Sequence, residues 1–301
     1  MNLIQVFLNV VFPVFILMGF GVLLDRKLAI DVKSVSRVTF YVLSPCLIFS
    51  SLANSTLDGA DSSRIFAFVI ISTALVGVIG WAMARLLRLD RVTQSAFFLG
   101  TLLVNSGNYG MSLNLFAFGK PGLERAALFF VVSALLSNTV GIFLAARGRA
   151  GSRGALLGVL KAPLVYAALA AFLVNITGIR VPEPLQKALT TAGNGAVPIM
   201  LLILGMQLSR TSLNQDIPLI GLATVLRLVV AAAVAWGLAA AMRLQGVTRQ
   251  VCIVEASTPT AVTSLILAVE YDARPKLITG VIFLSTLASM VTLTVLLSIL
   301  M

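Results

Sequence analysis

The stretch Asn105-Ser106-Gly107-Asn108-Tyr109-Gly110 is a polar interruption between two apolar runs, 96–104 and 111–116. Glycine is a weak helix former, and asparagine and serine side chains compete for the backbone hydrogen bonds of a helix. In hydrocarbon, an unwound backbone must find hydrogen-bond partners or line a wet cavity. The stretch therefore indicates either a binding site at mid-membrane depth or a kinked helix that is sealed by its neighbours.

The composition is that of a helical membrane protein with several spans. Of the 301 residues, 59% are hydrophobic and 11% are charged, whereas soluble domains carry about 25% charged residues. The net charge of +11 lies mainly in short loops. There it indicates membrane topology and contact with anionic lipid, and no nucleic-acid partner is expected. The chain has no histidine, and Cys46 and Cys252 lie in apolar segments, so we expect no cofactor other than a coupling ion.

The apolar runs predict an all-α polytopic protein with ten transmembrane helices. The predicted spans are 4–24, 37–54, 64–87, 92–118, 124–146, 161–179, 187–208, 216–242, 248–270 and 275–300. The second span contains Pro45 and the seventh contains Pro198. Since proline removes a helical hydrogen bond, both of these spans are expected to bend.

The distribution of lysine and arginine predicts the orientation. The odd-numbered loops hold 14 of the 22 basic residues and the even-numbered loops hold seven. The positive-inside rule then places both termini on the periplasmic side of a bacterial inner membrane and the loop 147–161 in the cytoplasm.

The two halves of the chain resemble each other at an offset of 153 positions. This shift places Pro45 on Pro198 and lays 105–108 over 258–261. Five spans in each half is an odd number, so the second half enters the membrane from the opposite side. The sequence therefore predicts an inverted repeat, with 1–150 as the first unit and 151–301 as the second.

A second polar interruption, Glu255-Ala256-Ser257-Thr258-Pro259-Thr260, lies in the ninth span. Its position matches that of the first interruption, so the fourth and ninth spans are predicted to be broken helices that cross near the bilayer centre. At such a crossing, the half-helix N-termini offer N–H groups to an anion, and the C-terminal ends offer carbonyls to a cation.

Glu255 is the only acidic residue that the predicted spans place deep in the membrane. An ionised carboxylate is costly there unless it is paired, hydrated or bound to a cation. It is therefore a candidate sodium ligand or protonatable coupling group, or else one half of an ion pair with Arg227. Arg227 itself is interpreted as a substrate contact, as a structural or gating residue, or as a side chain that extends to the interface.

Three further side chains are candidates for binding. Ser133 and Ser137 share a helix face and can complete an oxygen cage for sodium or can simply support helix packing. Tyr109 can stack on a ligand or fill the crossing.

Four segments of the chain resemble the auxin efflux carrier family, which includes the plant PIN carriers, and the similarity covers nearly the whole chain. They are Leu43-Ser44-Pro45-Cys46-Leu47-Ile48-Phe49, Asn105-Ser106-Gly107-Asn108-Tyr109-Gly110, Val197-Pro198-Ile199-Met200-Leu201-Leu202-Ile203-Leu204-Gly205-Met206-Gln207-Leu208, and Thr258-Pro259-Thr260-Ala261 with Glu270-Tyr271.

This resemblance implies a scaffold domain from spans 1, 2, 6 and 7 and a transport domain from spans 3–5 and 8–10. It also implies a homodimer formed through the scaffold, elevator-type alternating access, and organic anions as substrates: auxins in plants, malonate or related carboxylates in bacteria. The plant carriers have an aspartate and a lysine in the third span, whereas 64–87 has no charge before Arg85, which argues against auxin. By similarity to the related bile-acid sodium symporters, Glu255 is implied to ligate sodium together with Asn108, Ser133 and Ser137.

The leading hypothesis is a secondary transporter of a small organic anion, coupled to sodium. The alternatives are a proton-coupled or uncoupled carrier, or a membrane sensor or channel that binds its ligand without pumping it. An enzyme is not expected, since the spans hold neither paired carboxylates nor a metal-ligand cluster. The candidate substrate contacts are Asn105, Ser106, Gly107, Asn108, Tyr109, Thr258, Pro259, Thr260 and Arg227, and the candidate ion-coupling residues are Glu255, Asn108, Ser133 and Ser137.

Overall fold

A computed structural model describes residues 2–28, 30–53, 55, 57, 59–146, 163–210 and 216–301. The regular elements in these ranges are helices. In chain order they are α1 (Leu3–Leu28), α2 (Val32–Ala53), α3 (Gly59–Leu86), α4 (Arg91–Leu102), α5 (Ser106–Ala146), α6 (Pro163–Thr177), α7 (Glu183–Ser209), α8 (Ile217–Ala241), α9 (Gly246–Ala256), α10 (Thr263–Glu270) and α11 (Pro275–Leu300). The predicted cytoplasmic loop 147–161 and the division between the two repeat units lie outside the described residues.

Seven of the described helices, namely α1, α2, α3, α5, α7, α8 and α11, are long and apolar enough to cross a membrane. The chain is therefore an all-helical, multi-pass membrane protein, as its composition predicts. The number of ten spans, the inner-membrane location and the orientation of the termini stay predictions.

Irregular backbone occurs at one predicted span boundary and near both prolines that are expected to bend their spans. Gly119 has φ 63° and ψ −152°, so α5 is two helices that meet there, between the predicted fourth and fifth spans. In α2, a π-helical turn at Thr39–Leu43 precedes Pro45. In α7, regular helix is interrupted at Gly195, three residues before Pro198. Both prolines therefore follow an irregular turn, as expected for residues that cannot donate a backbone hydrogen bond.

Helices α1 and α7 approach each other closely through two glycines. A Cβ atom at Gly205 would lie 1.9 Å from the Met18 carbonyl oxygen, and one at Gly21 would lie 2.1 Å from the Leu202 carbonyl oxygen. Small residues at such contacts allow two membrane helices to pack backbone to backbone.

Gly205→Ala is expected to lower the thermal unfolding temperature of the detergent-solubilised protein markedly. The new methyl group meets backbone atoms, which cannot rotate away, and overpacking of this kind costs about 1–3 kcal/mol. Gly237→Ala in α8 is the matched control, because a Cβ atom there has no neighbour within 4 Å. An unfolding temperature that is equal in the two variants would contradict the close contact.

A cluster of three polar side chains ties the first half of the chain to the start of α9. The Arg125 Nε atom donates a hydrogen bond to the Thr248 hydroxyl at 2.8 Å, and that hydroxyl donates to the Asp61 carboxylate at 2.8 Å. Asp61 and Arg125 belong to α3 and α5, so the cluster joins three helices.

A second cluster has the same composition and joins α8, α11 and the start of α4. Arg274 donates to the Thr93 hydroxyl at 3.0 Å and also binds the Asp216 carboxylate. Its aspartate lies 155 positions after the aspartate of the first cluster, and its threonine lies 155 positions before the threonine of the first cluster. Arg88 and Arg243, which both have left-handed backbone with φ 50° and 52°, are also 155 positions apart. This recurrence supports the predicted repeat at an offset close to 153.

Candidate functional site

The two predicted breaks are present in the structure, and they pair with each other. Helix α4 ends at Leu102 and α9 ends at Ala256. The Asn105 N–H donates to the Pro259 carbonyl at 2.8 Å, and the Ala261 N–H donates to the Leu103 carbonyl at 2.8 Å. The pairing forms a short antiparallel bridge between Val104 and Thr260, and it satisfies polar backbone groups that the two breaks leave without helical partners.

Side chains of the second break add to this connection. The Thr260 hydroxyl donates to the Gly100 carbonyl at 2.6 Å, and the Ser264 hydroxyl donates to the Leu99 carbonyl at 2.9 Å. Both hydroxyls thereby bind carbonyls near the end of α4, and both side chains are buried. Thr260 holds the two broken helices together.

Arg227 lies where the C-terminal ends of α4 and α9 come together. Its guanidinium donates to the Thr101 carbonyl at 3.0 Å and also to the Ala256 carbonyl. These two carbonyls belong to residues 155 positions apart. The last turn of a helix leaves carbonyls without partners and carries the negative end of the helix dipole. The cation that the sequence predicts at these ends is therefore supplied by the chain itself.

Glu255 is fully buried beside the helix that follows the first break. Its Oε1 atom accepts a hydrogen bond of 2.9 Å from the Asn114 amide, which also donates to the Gly110 carbonyl at 2.9 Å. A Cβ atom at Gly110 would lie 2.1 Å from the Glu255 Oε2 atom. Glycine is thus required for the carboxylate to fit.

Two oxygens of this buried group have no hydrogen-bond partner among the described residues. They are Oε2 of Glu255 and Oδ1 of Asn114. The structure also pairs Arg227 with carbonyls and shows no ion pair between it and Glu255 in the described part of the chain. A buried carboxylate without a counter-charge requires a proton or a bound cation.

A cavity of about 370 Å³ lies between the crossing and helices α2, α5, α7 and α10. Six of the predicted site residues line it: Asn105, Ser106, Gly107, Asn108, Ser133 and Ser137. The other lining side chains include Lys33 and Arg37 from the exposed start of α2, Gln207 from α7 and Thr263 from α10. The structure thus gathers part of the predicted site around one open space.

The electrostatic character of this cavity suits an anion. The helices that begin at Ser106 and at Thr263 both start at its wall, and the first turn of a helix offers free N–H groups at the positive end of its dipole. Lys33 and Arg37 add positive side chains, and none of the lining residues in the described ranges is acidic.

Two buried polar atoms at the cavity wall have no hydrogen-bond partner among the described residues. They are the Asn105 amide nitrogen Nδ2 and the Ser133 hydroxyl. Buried donors of this kind are normally satisfied, so this pair is available to a ligand or to water in the cavity.

The remaining predicted site residues do not line the cavity. Tyr109 is fully buried, where its hydroxyl accepts a 3.0 Å hydrogen bond from Ser289 and its ring meets that of Phe15 edge to face. The Thr258 hydroxyl donates to the Glu255 carbonyl at 2.7 Å. Pro259, Thr260, Arg227 and Glu255 also lie outside the set of lining residues. The four predicted sodium ligands are therefore divided, with Glu255 in one place and Asn108, Ser133 and Ser137 in another.

Sequence reasoning missed Asn114, Lys33, Arg37 and Gln207. Asn114 lies four residues after Gly110 on the same helix face. A polar side chain one turn after a glycine in an apolar segment is the sequence signal that could have identified it. In the sequence, Lys33 and Arg37 stand out only as loop charges that indicate topology, which does not reveal their position at the cavity.

Comparison with known proteins covers nearly the whole chain. The family profile described as "Membrane transport protein" matches residues 6–297. An "Uncharacterized transporter" of Methanothermobacter thermautotrophicus is 30% identical over 268 residues, which is 87% of each chain. A "Putative malonate transporter" of Rhizobium meliloti is 23% identical over 267 residues, covering 84% of this chain and 82% of its own.

Proposed function

Since the chain belongs to the membrane transport protein family, as its resemblance to the auxin efflux carriers predicts, we propose that it is a secondary carrier of a small organic anion. The observation that carries this proposal is the cavity at the crossing. Two helix starts, two basic side chains and the unpartnered Asn105 amide meet there without an acidic residue. The family and the names of the relatives indicate a transporter and not an enzyme.

Malonate is the first substrate to test. One relative carries this compound in its name, and a dicarboxylate matches a cavity that offers two helix starts together with Lys33 and Arg37. Each carboxylate then has a helix N-terminus or a basic side chain as its partner.

The proposed mechanism is alternating access of the elevator type. The cavity lies between helices of the implied scaffold, α2 and α7, and helices of the implied transport domain, α5 and α10. Movement of the crossing past α2 and α7 would carry a bound anion across the membrane. The two Asp–Arg–Thr clusters join helices within the transport domain only, which supports its movement as one body. The proposed homodimer would form through the scaffold.

Coupling is proposed at Glu255. The unpartnered Oε2 of Glu255 and Oδ1 of Asn114 suit a sodium ion or a proton. Because this group lies outside the cavity, the coupling ion and the anion would bind at separate places.

Counterflow in proteoliposomes tests the carrier. Vesicles loaded with unlabelled malonate are expected to accumulate labelled malonate transiently, which a sensor or a channel does not do. Asn108→Ala is expected to reduce the rate by about 10- to 100-fold, because a hydrogen bond to a charged group contributes about 1.5–3 kcal/mol.

Asn194→Ala is the matched control for this experiment, since Asn194 is exposed and lies outside the cavity. It is expected to transport at the parental rate. Equal rates for the Asn108 and Asn194 variants would show that the cavity is not the binding site. An absence of counterflow with every dicarboxylate tested would favour the sensor.

A further inference from the structure

A second cavity, of about 690 Å³, lies where α3 ends and α4 begins. Arg85, Arg88 and Arg91 all line it, together with Trp81 and Gln94. It shares no lining residue with the cavity at the crossing. The proposed transport function makes no use of it.

The described part of the chain does not neutralise the positive charge of this cavity. None of the three arginines forms an ion pair with an acidic side chain in the described ranges. The nearest acid in sequence, Asp90, caps α4 by accepting hydrogen bonds from the backbone N–H groups of Val92 and Thr93. Hydrogen bonds from Thr93 lower the pKa of the Asp90 carboxyl. Three guanidinium groups against one carboxylate leave an excess of positive charge, which suits a phosphate.

An exposed apolar stripe on α3 leads to this cavity. Ile71, Leu75 and Val78 are exposed apolar residues at helical spacing, and they form a stripe that leads towards Arg85. In a membrane-spanning helix such a stripe faces acyl chains. The Arg85 guanidinium stacks on the Trp81 ring at 5.3 Å, and tryptophan and arginine together are typical of the headgroup region.

The repeat offers an internal comparison. At the offset of 155 positions, Trp81 and Arg88 correspond to Trp236 and Arg243, so the turn itself recurs in the second half. Arg85 and Arg91, however, correspond to Ala240 and Gly246. The shared architecture of the turn therefore does not require these two arginines.

We propose that the cavity between α3 and α4 binds the phosphate head group of an anionic phospholipid, with the acyl chains along the exposed stripe of α3. The site differs from the general attraction of loop charges to a membrane, because it places three guanidinium groups around one concave space.

The test is retention of phosphatidylglycerol by the purified full chain, measured by native mass spectrometry after reconstitution in phosphatidylcholine with and without this lipid. Arg85→Gln/Arg91→Gln is expected to weaken retention by about thirtyfold, since each basic residue near the surface contributes about 1 kcal/mol to binding of anionic lipid. Arg26→Gln/Lys27→Gln removes the same charge from exposed positions on the same predicted side, and it is expected to retain the lipid like the parent.

Equal retention by the two double variants would overturn the proposal. Inorganic phosphate and glycerol phosphate serve as soluble competitors, and neither is expected to displace the lipid at millimolar concentration. Displacement by either one would show that the site takes a free phosphate and not a lipid. If the double variant does not fold, the single variant Arg91→Gln is measured against Arg26→Gln, with an expected loss of about fivefold.

Discussion

Arg227→Met is expected to abolish transport, with a loss of at least about a hundredfold in counterflow. Arg227 is 2% exposed, and its guanidinium donates to the carbonyls of Thr101 and Ala256. Methionine fills the volume but leaves both carbonyls without a donor, at about 1–3 kcal/mol for each buried unpaired group. It also leaves two negative helix ends facing each other.

The effect on stability is expected to be smaller than the effect on transport. Removal of a buried charge recovers its desolvation cost of several kcal/mol, which offsets the lost hydrogen bonds. Arg227→Lys tests the geometry, since an ammonium keeps the charge but lacks the planar fork that reaches two carbonyls. We expect it to retain only a small part of the rate.

A swap between the halves separates the role of the charge from that of the residue position. Ser72 lies 155 positions before Arg227, and the two residues line the same small cavity beside Ala256. The double variant Ser72→Arg/Arg227→Ser is expected to recover at least a tenth of the parental counterflow, while Arg227→Ser alone is inactive. If the swap folds but stays inactive, a cation at the helix ends is not sufficient, and Arg227 acts in some other way.

The membrane class and the positions of both breaks could be predicted from the sequence because they depend on local chemistry. Asn105, Gly107 and Pro259 disfavour a continuous helix whatever surrounds them. The matching positions of the two breaks predict only that they cross, and their direct backbone hydrogen bonds are seen in the structure alone.

The direction of individual side chains could not be predicted. After an unwound segment, the rotational phase of the next helix is set by packing, and successive residues point about 100° apart. Asn108 therefore lines the cavity whereas its neighbour Tyr109 is buried against Ser289. The position of the Arg227 side chain could not be predicted either. Its role depends on the meeting of α4, α8 and α9, which are distant in sequence.

Glu255 lies outside the cavity at the crossing. The second large effect that we expect is therefore the loss of the ion dependence of transport in the variant Glu255→Gln. Glutamine has nearly the same shape, and its oxygen can still accept the hydrogen bond from Asn114. Its amide nitrogen can donate to Oδ1 of Asn114, which has no partner among the described residues. The variant is therefore expected to fold with parental or greater stability, because a buried carboxylate is replaced by a satisfied neutral amide.

The Glu255→Gln variant is expected to retain counterflow of malonate but to lose the accumulation of malonate that an ion gradient drives. The measurement is uptake of labelled malonate into proteoliposomes under a sodium gradient and, separately, under a proton gradient. The gradient that drives the parent and fails to drive Glu255→Gln identifies the coupling ion. Glu270→Gln is the matched control, since Glu270 is an exposed acid at the end of α10 in the same predicted span. If the parent and both variants respond equally to either gradient, the coupling site lies elsewhere, and the cavity at the crossing would still bind the anion.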